Sequence, residues 1–539
     1  EKFFGKTEAT KKMVEHLSDD EIEMLNRGGH DPLKVFNAYK KAFESKGKPS
    51  VVLAFTVKGY GMGTRQADNA AHQVKKLSKE NLKDFVENFN LPFTSHDLEN
   101  PTYIDLSADK ESLNYLHEQR NKLGGLIPSR KTSLKKLKIT EKLLDEFSEE
   151  TKRELSTTMV FVRILTKLLR DKNIGERVVP IVPDEARTFG MDSLFRQFGI
   201  YSSEGQKYEP EDAGKVMFYR ESKKGMMLEE GINEAGAFSA WLALATSYSN
   251  NLLPMIPFYI FYSMFGFQRI HDLAWAAGDS RAKGFLLGAT SGRTTLNGEG
   301  LQHQDGHSHI MAGTIPNCKS YDPCFSYELE TIISKGIEDM YVNNNNRYYY
   351  ITLMNENYIH PKRPKSATPE NIMKGAYCYL KAKKPNFRVL ASGLTLNFAL
   401  DANSKLKDFG IELEIWSVTS FNELYRDGIE SERDKKHFNT TAKPYVSRIF
   451  TDPIPTLAVS EYQRAYANQI RQWSNSDYIV LGTDGFGRSD TREKLRDFFE
   501  IDANHIVLNI LKSLNRDSEY KQFIKENKIN FSKEAPWKR

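Results

Sequence analysis

The run LNGEGLQHQDGHSH, residues 296–309, carries three histidines, two acids and three glycines in fourteen positions. Three kinds of chemistry suit it. His303, His307 and His309 offer imidazoles to a metal, but zinc motifs of the HExxH kind need a helix, which Gly298, Gly300 and Gly306 disfavour. Histidines held by backbone hydrogen bonds in a tight glycine turn are a second reading. An acid/base or anion-binding wall, with Asp305 beside the imidazoles, is the third, because imidazole moves protons and donates hydrogen bonds to carboxylates near pH 7. Spacing alone leaves all three open.

Glu234 is the last charge before a stretch, Ala235 to Gln268, that has no charged residue. A carboxyl at the edge of an apolar region is desolvated, which raises its pKa and lets it hold a proton near neutrality. The alternative is an exposed acid in the first turn of a helix, where the helix dipole favours it. KGYGMG (58–63) fits neither GxxxxGK[ST] nor GxGxxG, so a strand-ending turn competes with a phosphate loop. In DGFGRSD (484–490), Ser489 or Asp490 reads as the N-cap of the helix TREKLRDFFE. Cys318 and Cys324 match no redox or zinc spacing.

Short apolar runs alternate with amphipathic segments of helical length, the pattern of parallel sheets with crossover helices. Candidate strands are VVLAF (51–55), VVPIV (178–182), MIPFYIFY (255–262), GFLLGAT (284–290), YYYITLM (348–354), FRVLASG (387–393), IELEIWSV (411–418) and YIVLGT (478–483). Helical patterns cover 157–171 and 234–249. In such sheets ligands gather beyond the carboxyl ends of the strands, and the residues there are polar: Asp184, Glu185, Ser263, Asn355 and Glu356 among them. A lysine-rich stretch near 119–150 and the segment 362–371 read as boundaries.

The bulk properties narrow the class. A chain of 539 residues predicts three or four domains. Its 76 basic and 71 acidic side chains leave a net charge of +5 without a long run of one sign, a hint of anionic ligands and no argument for nucleic acid. Three cysteines predict a reducing cytoplasm and no disulfide framework. Asn250, Asn251, Pro254 and Pro257 break the uncharged stretch into helix, turn and buried strand, so no membrane span is predicted. The chain opens on Glu1 with no secretory signal, and reads as beginning inside a longer protein.

KGYGMG with AHQVKK (71–76), PDEARTFGM (183–191), EGINEAGAFSAW (230–241), PMIPFYIFYSMFGFQRI (254–270), SGRTTLNGEGLQHQDGHSH (291–309), SYDP (320–323), YYYITLMNENY (348–358) and LGTDGFGRSDTREKLRDFFEIDA (481–503) closely resemble the homodimeric, bacterial-type pyruvate dehydrogenase components. The resemblance runs along essentially the whole chain, LIPSR at 126–130 included. It implies an α/β, transketolase-like thiamine-diphosphate fold of parallel sheets flanked by helices. Of that family's three domains, 1–135 would be the end of the diphosphate-binding domain plus linker, 136–364 the pyrimidine-binding domain and 365–539 the C-terminal domain.

The implied activity is oxidative decarboxylation of pyruvate with acetyl transfer to the lipoyl group of a dihydrolipoamide acetyltransferase, in a cytoplasmic homodimer using thiamine diphosphate and Mg²⁺. Carried over by position, Glu234 resembles the glutamate that hydrogen-bonds the cofactor's aminopyrimidine and promotes ionisation of its thiazolium carbon. His303 resembles a substrate-facing histidine, and His72 one on a loop that assists acetyl transfer. Tyr262 would hold pyruvate's carboxylate. Asp184 and Glu185 resemble an acidic pair beside the cofactor, Glu185 nearer Glu234, while His307 and His309 stay as loop anchors or pocket wall.

Two features depart from the family. GTRQADNAAHQ (63–73) differs from the usual wording before the histidine. The GDG and NN pair that holds diphosphate and magnesium is absent and is expected upstream of Glu1, so the fragment alone is expected to be inactive. Another thiamine-diphosphate enzyme, such as a transketolase or a different 2-oxo acid dehydrogenase, and an inactive fragment that only binds a partner subunit are the rival readings.

Overall fold

VVPIV forms β1 (Val178–Val182), with Val178, Ile181 and Val182 buried. Its neighbours are β2 (Leu228–Glu229) and β3 (Ile256–Tyr262), both parallel to it. The sheet continues through β4 (Phe285–Ala289), β5 (Cys318–Tyr321) and β6 (Tyr348–Thr352), in the spatial order β2-β1-β3-β4-β6-β5. All its pairings are parallel, and β4 and β6 are buried at every position, as expected of strands covered on both faces. This computed structural model describes the chain apart from residues 1–2, 24, 26–27, 101, 106, 126–134, 141, 184–185, 212–218, 439 and 442. LIPSR, Asp184 and Glu185 lie outside the described residues. The chain folds as two compact units, 1–128 and 129–539.

The order of the strands creates the site. From β1 the chain moves to one side to form β2, then crosses to the other side to form β3. The carboxyl ends of β1 and β3 therefore flank a topological switch point, where loops diverge and leave a crevice. Helix α1 (Glu234–Asn250) joins β2 to β3. Asn233 caps it, its side chain accepting from the Gly236 N–H at 3.0 Å. Ala237, Phe238, Trp241, Ala245 and Tyr248 recur at helical spacing and are buried, and the Trp241 indole donates to the Phe285 carbonyl at 3.1 Å. Helix α2 (Gly266–Asp279) follows β3 and buries Phe267, Ile270, Ala274 and Ala277, turning Gln268 and Arg269 outward.

A second sheet, in the order β11-β10-β8-β9-β7, comprises β7 (Tyr377–Leu380), β8 (Phe387–Ala391), β9 (Leu413–Ser417), β10 (Thr456–Val459) and β11 (Tyr478–Leu481). Only β7 runs antiparallel, at the edge beside β9. Asp322, just after β5, ties the two sheets. Its N–H donates to the Thr419 carbonyl at 2.8 Å, and its carboxyl accepts from Thr352, Ser392 and Tyr462.

Two expectations need correction. VVLAF (51–55) forms no strand, and no strand occurs among the described residues of the first unit, so nothing there completes a ladder. The helix after DGFGRSD is capped by Thr491, whose hydroxyl accepts from the Lys494 N–H at 3.3 Å, and not by Ser489 or Asp490. Ser489 instead donates to the Glu299 carbonyl at 2.7 Å, which draws it away from the helix. No helix among the described residues is long and apolar enough to cross a membrane.

Candidate active site

Tyr262 ends β3 and Phe265 precedes α2, so the β3–α2 turn sets two aromatic rings at the mouth of the crevice. The Tyr262 ring centre lies 5.5 Å from Phe189, in the turn after β1, and 5.2 Å from the His303 ring. Phe265 stands 5.0 Å from the same imidazole. Ser263 Oγ is buried between these residues in sequence, with no hydrogen-bond partner.

Glu234 sits in the first turn of α1, with its side chain 12 % exposed. The sequence places it at an apolar edge; in the fold its Oε1 is ion-paired with Arg269 from α2. A cation therefore accompanies the carboxyl that desolvation alone was expected to govern. The Arg269 guanidinium also lies 4.3 Å from the Phe265 ring centre. Glu234, Arg269, Phe265, His303 and Tyr262 thus form one continuous line of contacts beyond the ends of β1 and β3.

The histidine-rich run divides its imidazoles among three environments. His303 lies in a short 3-10 turn, with Nδ1 3.3 Å from the Gly300 carbonyl. His307 Nε2 is 2.7 Å from the amide nitrogen of Gln268, which can donate to it. His309 is fully buried, bonded through Nε2 to the Thr352 hydroxyl at 2.9 Å and stacked on Tyr466. Burial pushes its pKa down to about 3, so it stays neutral. Asp305 accepts from the backbone N–H groups of His307 and Ser308, at 2.9 and 3.0 Å, and so organises the first turn of the helix Ser308–Thr314. Gly306 is required by a close approach, since a Cβ there would stand 2.4 Å from Arg293 Cζ.

The three imidazoles thus meet three different partners. Among the described residues, the one His/Cys/Asp/Glu set close enough to share an ion is Asp497, Asp502 and His505. There Asp502 already caps a helix, accepting from the His505 N–H at 2.8 Å.

His72 belongs to the first unit. It is exposed, in the 3-10 turn Asn69–Gln73, which Asp68 caps by accepting from Ala70 N–H at 2.9 Å. The sequence reading missed Phe265 and Arg269, although their i, i+4 spacing at the start of α2 puts them on one face. It also missed two buried carboxyls, Asp322 and Glu461. Burial raises Asp322 to about 7 and lifts Glu461, which accepts from Thr294 and Thr295 while its Oε2 has no partner. Nothing local in sequence distinguishes these acids from solvent-facing ones.

A fully parallel sheet with its polar groups gathered at the switch point, followed by a second, mostly parallel sheet, defines a transketolase-like α/β protein. The fold is similar to that of the transketolase of Campylobacter jejuni, with a TM-score of 0.62 at 18 % identity over 90 % of this chain and 66 % of that one. It is also similar to the transketolase of Leishmania mexicana, with a TM-score of 0.60.

Residues 141–361 match the family described as the pyruvate dehydrogenase E1 component middle domain, and 375–502 the transketolase-like TK C-terminal domain. The pyruvate dehydrogenase E1 component of Pseudomonas aeruginosa is 53 % identical over 95 % of this chain, and that of Escherichia coli K12 is 50 % identical over 96 %. The one from Buchnera aphidicola of Acyrthosiphon pisum is 50 % identical over 98 %. Over the length it spans, this chain is similar to the pyruvate dehydrogenase E1 components. It spans 59 to 62 % of the length of these relatives.

Proposed function

We propose that the protein to which this chain belongs decarboxylates pyruvate oxidatively, with thiamine diphosphate, and passes the acetyl group to the lipoyl group of a dihydrolipoamide acetyltransferase. The observation that carries this reading is the convergence of a carboxyl, an aromatic plane, an imidazole and a phenol at the crevice beyond β1 and β3. That donor set suits an aminopyrimidine ring. Glu234 can hydrogen-bond a ring nitrogen, and Phe265 offers a face for stacking. When bound, the cofactor would supply a thiazolium ring with an acidic carbon able to add to a keto group and a positively charged nitrogen able to take up the electron pair left when carbon dioxide departs.

The chain's own groups do the rest. Glu234 holds or gives up a proton at the ring nitrogen, with Arg269 fixing its orientation. Tyr262 directs its hydroxyl at the substrate carboxylate, and His303 donates a hydrogen bond to the substrate's oxygens. His72 serves acetyl transfer. Asp184 and Glu185 are assigned, by resemblance alone, to the acidic pair beside the cofactor. We assign 136–364 and 365–539 to the pyrimidine-binding and C-terminal domains, and 1–135 to the end of the diphosphate-binding domain and its linker. The chain has no GDG and NN pair, so its Mg²⁺ and diphosphate ligands are sought in residues outside these 539, and the isolated chain is expected to be inactive.

A cytoplasmic homodimer is the proposed state. The uncharged residues Ile232, Ala235, Ser239 and Ala243 are exposed beside Glu234, which supports a second copy packing there. Side-by-side turnover of pyruvate, 2-oxoglutarate and sugar phosphates by the full-length enzyme tests the substrate assignment. Preference for pyruvate by at least about tenfold in kcat/KM is expected. A preference for a sugar phosphate would replace the reading with a transketolase, and no turnover of any would favour the partner-binding role.

A further inference from the structure

The loop 482–490 and the segment Pro536–Arg539 lie behind the histidine-rich run, and neither has a part in the chemistry above. Their contacts form a chain that ends at His303. Arg464 is the first clamp: its guanidinium lies 4.2 Å from the Trp537 ring centre, while its Nε donates to Asp484 at 2.9 Å. Gly485 is the second. It adopts φ +104°, and a Cβ there would stand 2.9 Å from Trp537 Cα, so the loop lies directly on the segment. Arg488 closes the far end by donating to a backbone oxygen of Arg539.

The other side of this loop grips the run that bears His303. The Arg488 N–H donates to Gln304 Oε1 at 2.7 Å, and Gln304 Nε2 donates to the Leu296 carbonyl at 2.8 Å. Ser489 Oγ donates to the Glu299 carbonyl at 2.7 Å, and Arg293 reaches across to the Thr483 carbonyl at 2.6 Å. Gln304 is the immediate neighbour of His303. With three glycines in the run, these bonds supply the order that its own sequence does not.

We propose that the segment 536–539 is a positioning element for the substrate site, with Trp537 holding the 482–490 loop against 296–304 and so fixing where the His303 imidazole stands. Trp537 touches no reacting atom. It is 47 % exposed, so its ring is not a major part of the core, and its loss should loosen the loop before it unfolds the protein. The inference deepens the proposed function, because it rests on His303 facing substrate.

The test uses full-length Trp537→Ala and Trp537→Phe, the second keeping a ring under Arg464. Pyruvate-dependent reduction of an artificial electron acceptor gives KM and kcat, and hydrogen exchange follows the His303 and Gln304 amides, which donate to the Gly300 and Leu301 carbonyls. Expected in Trp537→Ala are a pyruvate KM raised about tenfold, kcat within about threefold, and faster exchange at those amides, all restored in Trp537→Phe. Unchanged KM and exchange in Trp537→Ala overturn the proposal. So does a loss of melting temperature with KM and kcat falling together and no rescue by phenylalanine, which marks a purely structural residue. If the wild-type enzyme does not turn over pyruvate, the functional reading fails, and hydrogen exchange still decides whether Trp537 orders the run.

Discussion

VVPIV at 178–182 and VVLAF at 51–55 present the same kind of five-residue apolar run, and they end differently. VVPIV lies between two parallel neighbours, with Ile181 fully buried. VVLAF has no strand beside it among the described residues, and Val51 and Leu53 are 82 and 91 % exposed. The nearby helix Pro32–Glu44 repeats the contrast. Asp31 caps it well, accepting from the Leu33 and Lys34 N–H groups at 3.0 Å, yet Leu33, Phe36 and Phe43 on it are exposed. Capping and propensity are local and are satisfied locally, whereas a strand and an apolar helical face depend on what other segments bring.

The sharpest way to break this comparison is to put a charge in each run. Ile181→Asp buries an unpaired carboxylate in β1 and should unfold the second unit, a loss of more than about 4 kcal/mol. Leu53→Asp should change the melting of the chain by less than about 0.5 kcal/mol. Calorimetry on the two variants checks both. A comparable loss from Leu53→Asp would mean that VVLAF is packed after all.

The histidines give a functional version of the same contrast. His72 lies in an exposed turn of the first unit, while His303 is packed against Tyr262 and Phe265. In the full-length enzyme, His72→Ala should slow acetyl transfer to a lipoyl group about tenfold or more and leave decarboxylation with an artificial acceptor nearly unchanged. Equal losses in both assays would contradict a role confined to transfer.

The smallest effect concerns pH. His309, held neutral by burial at a pKa of about 3, destabilises the fold as pH falls below its unfolded value near 6.5. Asp322 works in the opposite sense. Raised to about 7 by burial, it contributes stability that is full below its unfolded pKa near 3.8 and is lost as pH rises through 7. Between about pH 4 and 6.5 the two slopes oppose each other, each at most about 1.4 kcal/mol per pH unit. Asp322→Asn should therefore make stability fall on acidification, and His309→Gln should make it rise. Thermal melts of both variants at pH 4.5 and 6.5 measure the signs, and parallel curves would remove these groups from the account.

The strands at 178–182, 256–262, 285–289 and 348–352 were legible as apolar runs because burial on both faces leaves a continuous hydrophobic signature. Cys318–Tyr321 and Tyr377–Leu380 were not, since CKSY and YCYL are short and mixed. In the site, Glu234 stood out by its position before an uncharged stretch. Its partner Arg269 lies 35 residues on and meets it only because α1 and α2 are brought side by side by the strand order. The bond from the Arg488 N–H to Gln304 joins segments 184 positions apart, and no local pattern encodes it.

The central claim is that Glu234, at the switch point between β1 and β3, is the acid that activates the cofactor. The direct measurement is pyruvate turnover of full-length Glu234→Gln, with an artificial electron acceptor, at saturating thiamine diphosphate and Mg²⁺. The account predicts a fall of about two orders of magnitude or more in kcat, with the melting curve of the apo protein little changed. Turnover close to that of the wild type would contradict it.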